Sequence, residues 1–96
     1  MTVIWTATAV AHLEMIHAYL ESQSAIYATQ TINRLVLAAD TLGDFPFMGR
    51  VVPELRDDRR EVIQKPYRII YRPTETQVEI LAVVHSARGN LEQAMR

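Results

Sequence analysis

The stretch from Pro66 to His85, PYRIIYRPTETQVEILAVVH, constrains the fold more than any other part of the chain, because it reads as a β-hairpin. Tyr67, Ile69 and Tyr71 alternate with Arg68, Ile70 and Arg72, the period of two that sends successive side chains to opposite faces of a sheet. Pro73, Thr74, Glu75 and Thr76 break the pattern. Val78, Ile80, Ala82 and Val84 then alternate with Glu79, Leu81, Val83 and His85. This second run is apolar on both faces over most of its length, which predicts an interior strand. Arg68 and Arg72 therefore share one face of the first strand, and His85 closes the second.

The remaining elements follow from caps and periodicity. Val3, Ile4 and Trp5 predict a short N-terminal strand, and Thr6 or Thr8 can cap a helix in which Ala9, Leu13, Ile16 and Leu20 form an apolar stripe. That helix should end near Glu21, with Ser24 capping a second. Ala25, Ala28, Ile32, Leu35, Ala39 and Leu42 recur in steps of three and four, and Gly43 is placed to stop the helix. The short connection predicts an antiparallel helical hairpin. Asp44, Pro46 and Gly49 mark a loop, with Phe45, Phe47 and Met48 expected to anchor it to the core. Gly49 to Leu55 reads as a short extended segment, Arg56 to Arg59 as a polar turn, and Arg60 to Lys65 as a further strand with Val62 and Ile63 as its apolar part. Asn90 to Arg96 reads as a short tail of about one helical turn.

Helices first and strands after predict an α+β fold: an N-terminal strand, then an antiparallel helical hairpin packed on one face of a mainly antiparallel sheet of four or five strands. The other face is expected to be partly open. Ninety-six residues suit one domain, 1–96. No apolar run approaches the roughly 20 residues that span a bilayer, and the N-terminus lacks the basic flank and cleavage site of a signal peptide, so the expected location is the cytoplasm. The absence of cysteine excludes disulfide scaffolds, thiolate metal sites and cysteine nucleophiles. His12 and His17 lie five apart on a helix, not the four that would place both on one metal, and no cofactor is expected.

Charge is unevenly spread. Only Arg34 among the basic residues precedes Gly49, whereas Glu14, Glu21, Asp40 and Asp44 all lie in that first half. Arg50, Arg56, Arg59, Arg60, Lys65, Arg68 and Arg72 then fall close together, interleaved with Glu54, Asp57, Asp58 and Glu61. Such a cluster suits nucleic acid or an acidic protein partner, but the interleaved acids weaken any phosphate-binding field. Arg68 and Arg72 can equally pair with Glu54, Glu61 or Glu79 across the sheet, and His85 can close its strand on a backbone carbonyl.

The order and spacing of several pieces carry a resemblance. These are Trp5 with Ala9, Leu13, Ile16 and Tyr19; Pro46 followed by Gly49-Arg50 and Pro53-Glu54-Leu55; Arg60-Glu61; Tyr67-Arg68-Ile69-Ile70-Tyr71; and Val84-His85 with Arg88. Together they resemble the RelE/ParE superfamily of bacterial toxins from type II toxin–antitoxin modules. The resemblance implies a small toxin that halts growth unless an antitoxin wraps it. RelE-like members cut messenger RNA in the ribosome, whereas ParE-like members poison DNA gyrase without a known bond-breaking activity.

Cutting RNA needs a base for the 2′-hydroxyl, cations for the crowded phosphate and an acid for the leaving oxygen. By resemblance Arg68 matches an arginine that contacts the phosphate, Glu54 sits where some members carry a base, and His85 can serve as acid or base. The C-terminal tyrosine or histidine-tyrosine pair of the nucleases has no match in Arg88-Gly89-Asn90-Leu91, and the pI of about 6.3 suits an RNA-lined site poorly. The expectation is a ParE-like gyrase inhibitor with no favoured catalytic residue, bound by a cognate antitoxin. Its candidate functional surface is Arg50, Arg60, Arg68, Arg72, His85 and Arg88. The alternatives are a ribosome-dependent endonuclease using Glu54, Arg68 and His85, or a non-toxic member that keeps only antitoxin binding.

Overall fold

Residues 1–86 and Leu91 are described by the computed structural model; Arg88 and, Leu91 apart, the tail expected over 90–96 lie outside the described residues. The elements are β1 (Thr2–Trp5), α1 (Ala7–Glu21), α2 (Ala25–Asp44), β2 (Arg50–Val51), β3 (Arg60–Gln64), β4 (Tyr67–Pro73) and β5 (Gln77–His85). They form a five-stranded sheet in the order β1-β5-β4-β3-β2, with β1 parallel to β5 and every other pair antiparallel. The α+β architecture is the expected one, and β5 is an interior strand.

Thr6 makes the hand-over from β1 to α1. Its backbone N–H donates to Ile80 O at 3.1 Å, its hydroxyl donates to the same oxygen at 2.9 Å, and its Oγ1 accepts from Ala9 N at 3.2 Å. One side chain thus caps the helix and ties it to the sheet. Ser24 caps α2 in the same way, accepting from Tyr27 N at 3.2 Å. α1 buries Ala9 and Leu20, with Leu13 and Ile16 at the margin. α2 buries Ala28, Thr31, Leu35, Ala39 and Leu42; its stripe starts one turn later than the spacing suggested, because Ala25 is exposed.

The sheet carries an apolar cluster on each face. Against the helices lie Tyr67, Ile69 and Tyr71 of β4 with Val78, Ile80 and Val83 of β5. On the opposite face Val52, Ile70, Ala82 and Leu91 form a smaller cluster with Leu55 and Val84 at its edge. This face is only partly open.

Four local expectations need correction. The alternation along β5 is broken, because Ile70 pairs with Ala82 while Tyr71 pairs with Ile80, leaving Leu81 as an extra residue. This bulge returns Val83 and His85 to the helix side of the sheet and turns Ala82 away from it. The extended segment after Gly49 shrinks to the two residues of β2. Phe45, Phe47 and Met48 do not anchor their loop; all three are exposed, and the buried residue there is Gly49. Gly43 does not stop α2 either, since the helix runs through it to a cap at Phe45.

What Gly43 does is let the N-terminal residue in. Met1 N donates to Gly43 O at 2.6 Å, and a Cβ on Gly43 would lie 2.6 Å from the Met1 carbonyl oxygen. Gly43→Ala should therefore lower stability in urea unfolding by about 1–3 kcal/mol, the usual penalty of forcing a methyl into packed space. An increase, as helix propensity alone would give, would show that β1 yields freely at this contact.

Candidate functional site

On the face of the sheet away from the helices, three strands deliver a charged network. The register sets Arg50 of β2 directly opposite Glu61 of β3, and Arg68 of β4 opposite Ile63, one diagonal step from Glu61. Diagonal neighbours on a sheet are within reach of long side chains. The Glu61 carboxylate is fully buried and accepts from Arg50 Nε at 2.6 Å and from Arg68 Nε at 2.5 Å. Arg68 turns its other two nitrogens to Glu54, on the loop after β2, at 2.9 and 3.2 Å. Every nitrogen of the Arg68 guanidinium thus meets a carboxylate oxygen. Hydrogen bonding from Arg68 holds the Glu54 carboxyl below its usual range. The same bonds hold Arg68 more firmly in its charged form, with Glu54 the larger cause.

The other arginines are placed differently. Arg72 Nε donates to Asp58 at 3.1 Å on an exposed part of this same face. Arg60 pairs with Tyr71 and so belongs to the helix side, where its guanidinium lies 5.1 Å from the centre of the Phe47 ring and donates to Gly49 O at 2.8 Å. Gly49 N in turn donates to the buried Tyr71 hydroxyl at 2.9 Å. One peptide is therefore gripped from both sides, and a Cβ on Gly49 would come within 2.7 Å of that hydroxyl. Burial pushes the Tyr71 pKa upward, keeping the phenol neutral as the acceptor of this bond.

His85 also lies on the helix side. It pairs with Tyr67 across β4 and β5, and the two rings meet edge to face with centroids 5.6 Å apart. Both border a largely apolar groove of about 490 Å³ between α1 and the end of β5, with His12 and Tyr19 on its helical wall. The structure thus joins Glu54 to Arg68 and holds His85 across the sheet from them. Among the described residues no group of three or more histidines, carboxylates or cysteines is disposed to hold a metal ion.

Two residues carry more weight than the sequence indicates, although Glu61 was among the possible partners of Arg68. Glu61 was one acid among several, yet it is the buried centre of the network; its signal was its place on a strand between arginines on both neighbouring strands. His12, considered from the sequence only as a metal ligand, accepts a hydrogen bond from Val83 N at 3.1 Å. No sequence signal identifies that contact.

The chain matches the family described as ParE toxin of type II toxin–antitoxin system, parDE, over residues 3–89. It is 35% identical over 86 residues to Toxin RelE2 of Caulobacter vibrioides, covering 90% of this chain and 96% of that protein. It is 36% identical over 84 residues to protein Y4kP of Sinorhizobium fredii, covering 85% and 84% respectively. The fold superposes on a chain of the chromosomal ParDE TA system from P. aeruginosa with a TM-score of 0.78 at 19% identity, covering 88% of this chain and 95% of the other.

Removing Arg68 leaves the buried Glu61 carboxylate with the largely exposed Arg50 alone. Arg68→Met should destabilise the protein by roughly 3–5 kcal/mol in chemical unfolding, with part of the loss recovered in the double variant Arg68→Met/Glu61→Leu. Glu54→Ala, at the exposed end, should cost at most about 1 kcal/mol. Equal losses from Arg68→Met and Glu54→Ala would mean that Glu61 does not depend on Arg68. Because the folded state depresses the Glu54 pKa, the contribution of Glu54 is present above its ordinary value of 4.5 and is lost as pH falls through the folded value.

Proposed function

This chain belongs to the ParE toxin family of type II toxin–antitoxin systems, and on that premise we propose that it arrests growth by binding DNA gyrase, with a cognate antitoxin holding it inactive. The observation that carries this reading is the state of Arg68. A phosphate-binding arginine needs nitrogens to offer, and all three of this guanidinium already donate to Glu61 and Glu54. A general base needs a carboxylate of adequate proton affinity, and Glu54 is weakened by the same bonds. His85 stands on the opposite face, so the three groups that RNA cleavage would need do not converge. Binding without bond breaking asks for none of this.

Exposed apolar side chains support a protein partner. Met15 and Tyr19 on α1, Ile26 and Leu37 on α2, and Phe47 and Met48 beyond it are each more than half exposed. An antitoxin segment that is disordered when free and acidic in part would gain from covering such residues together with Arg50. Gyrase as the target would place the action of the chain in the cytoplasm; separately, among the described residues no helix is long and apolar enough to cross a membrane.

One observation favours the second reading, cleavage of messenger RNA at the ribosome: Glu54 and Arg68 do meet, and a relative at 35% identity bears the name Toxin RelE2. The two readings separate on induction of the chain without antitoxin, followed by pulse-labelling of DNA and protein synthesis. DNA synthesis should fall first, and the purified chain should inhibit supercoiling by gyrase. Glu54→Gln and His85→Asn, which spare the buried carboxylate, should remain toxic within about twofold. Prior loss of protein synthesis, with messenger RNA cut at ribosomes and toxicity abolished in both variants, would establish the nuclease instead.

A further inference from the structure

The edge of β5 changes neighbours partway along its length. β1 pairs with it from Thr2 opposite Gln77 to Trp5 opposite Ile80 and then ends. Beyond that point the outward backbone groups of β5 need partners from elsewhere, since buried N–H and C=O groups are almost always satisfied. Thr6 meets the carbonyls of Ile80 and, at 3.4 Å, Leu81, and a further contact comes from about one and a half helical turns on, where Val83 N–H donates to His12 Nδ1 at 3.1 Å. α1 therefore takes over from β1 as the neighbour of β5, through two side chains.

The contact through His12 depends on a proton. An imidazole nitrogen accepts a hydrogen bond only when it carries no hydrogen, so His12 must be neutral with its proton on Nε2. In the imidazolium both nitrogens are donors, and Nδ1–H would face the N–H of Val83. We propose that the bond between His12 and Val83 is a proton-sensitive latch fastening α1 to the open edge of β5, and that protonation of His12 releases that wall of the apolar groove.

The described residues around His12 offer the cation no compensating carboxylate. Among the described residues, the titratable side chains lining the groove beside His12 are Tyr19 of α1, Tyr67 of β4 and His85 of β5, and no described carboxylate, lysine or arginine lines it. The titratable groups of α2, namely Tyr27, Arg34, Asp40 and Asp44, do not reach it. On α1 itself Glu14 is exposed, and Glu21 pairs with His17 at 3.2 Å. Burial alone already places the His12 pKa below its ordinary 6.5. The sign follows from linkage: the latch is fully set above about pH 6.5 and is lost as pH falls through the lower folded value. This inference is independent of the cellular target.

The test uses the full chain labelled with ¹⁵N and followed by NMR. At pH 7.5 His12 should show the Nε2–H tautomer and a through-bond coupling between Val83 N and His12 Nδ1. On acidification the coupling should vanish as the His12 ring titrates. The protection factor of the Val83 amide, corrected for intrinsic exchange, should fall roughly three- to tenfold while the β4 amides hold theirs. His12→Leu should show the low Val83 protection at both pH values. Val83 protection that stays constant through the titration, or that falls only in step with the whole sheet, would overturn the latch, as would a ring protonated on Nδ1 at pH 7.5.

Discussion

A β-strand has two faces and no third, and this limit organises the molecule. On β4 the pleat sends Tyr67, Ile69 and Tyr71 under the helices and Arg68, Ile70 and Arg72 to the other side. Because β4 is central, whatever it commits to a face its neighbours must match. β5 matches it only by admitting an extra residue at Leu81, and that bulge decides on which side His85 ends. The separation of His85 from Arg68 is therefore a matter of backbone register. No rotation of a side chain could bring the two together.

The arginine-bearing face solves a second problem, since a carboxylate removed from water demands compensation. Glu61 receives it from two sides, Arg50 and Arg68, and the loop carrying Glu54 is drawn onto the sheet by the remaining nitrogens of Arg68. The loop before β2 is secured by other means. Its aromatic residues stay in solvent, while the Gly49 peptide is held by Tyr71 and Arg60. Both loops at this end of the sheet thus rest on polar bonds to strand residues, and large apolar side chains are left on the surface where a partner protein can use them.

Much of the architecture was legible because it follows from local chemistry. Thr6 and Ser24 cap as hydroxyl residues before apolar stripes should, and the double-sided apolar run of β5 marked it as interior. The failures share a cause. Leu81 looks like any strand residue, and its bulge depends on what β4 presents opposite it. Phe45, Phe47 and Met48 have the hydrophobicity of core residues, but hydrophobicity does not oblige a side chain to be buried. Gly43 resembles a helix stop and is instead a gap shaped for Met1. At the site, the pairing of Arg68 with Glu54 and Glu61 was among the open alternatives, whereas the bond from Val83 to His12 joins residues 71 apart and leaves no trace in either neighbourhood.

The parallel pairing of β1 with β5 has a consequence for how the chain is made. Thr6 and Ile80 lie 74 residues apart, so β1 can join the sheet only after β5, made far later, has been released to it. The helical hairpin can collapse early on local contacts, but closing so long a loop is an entropic toll that only non-local contacts repay. Until β5 emerges, the apolar stripes of α1 and α2 have no completed sheet to cover them. The sheet is complete only once β5 has emerged, which leaves the elongation of everything before β5 for another polypeptide to reach the chain first.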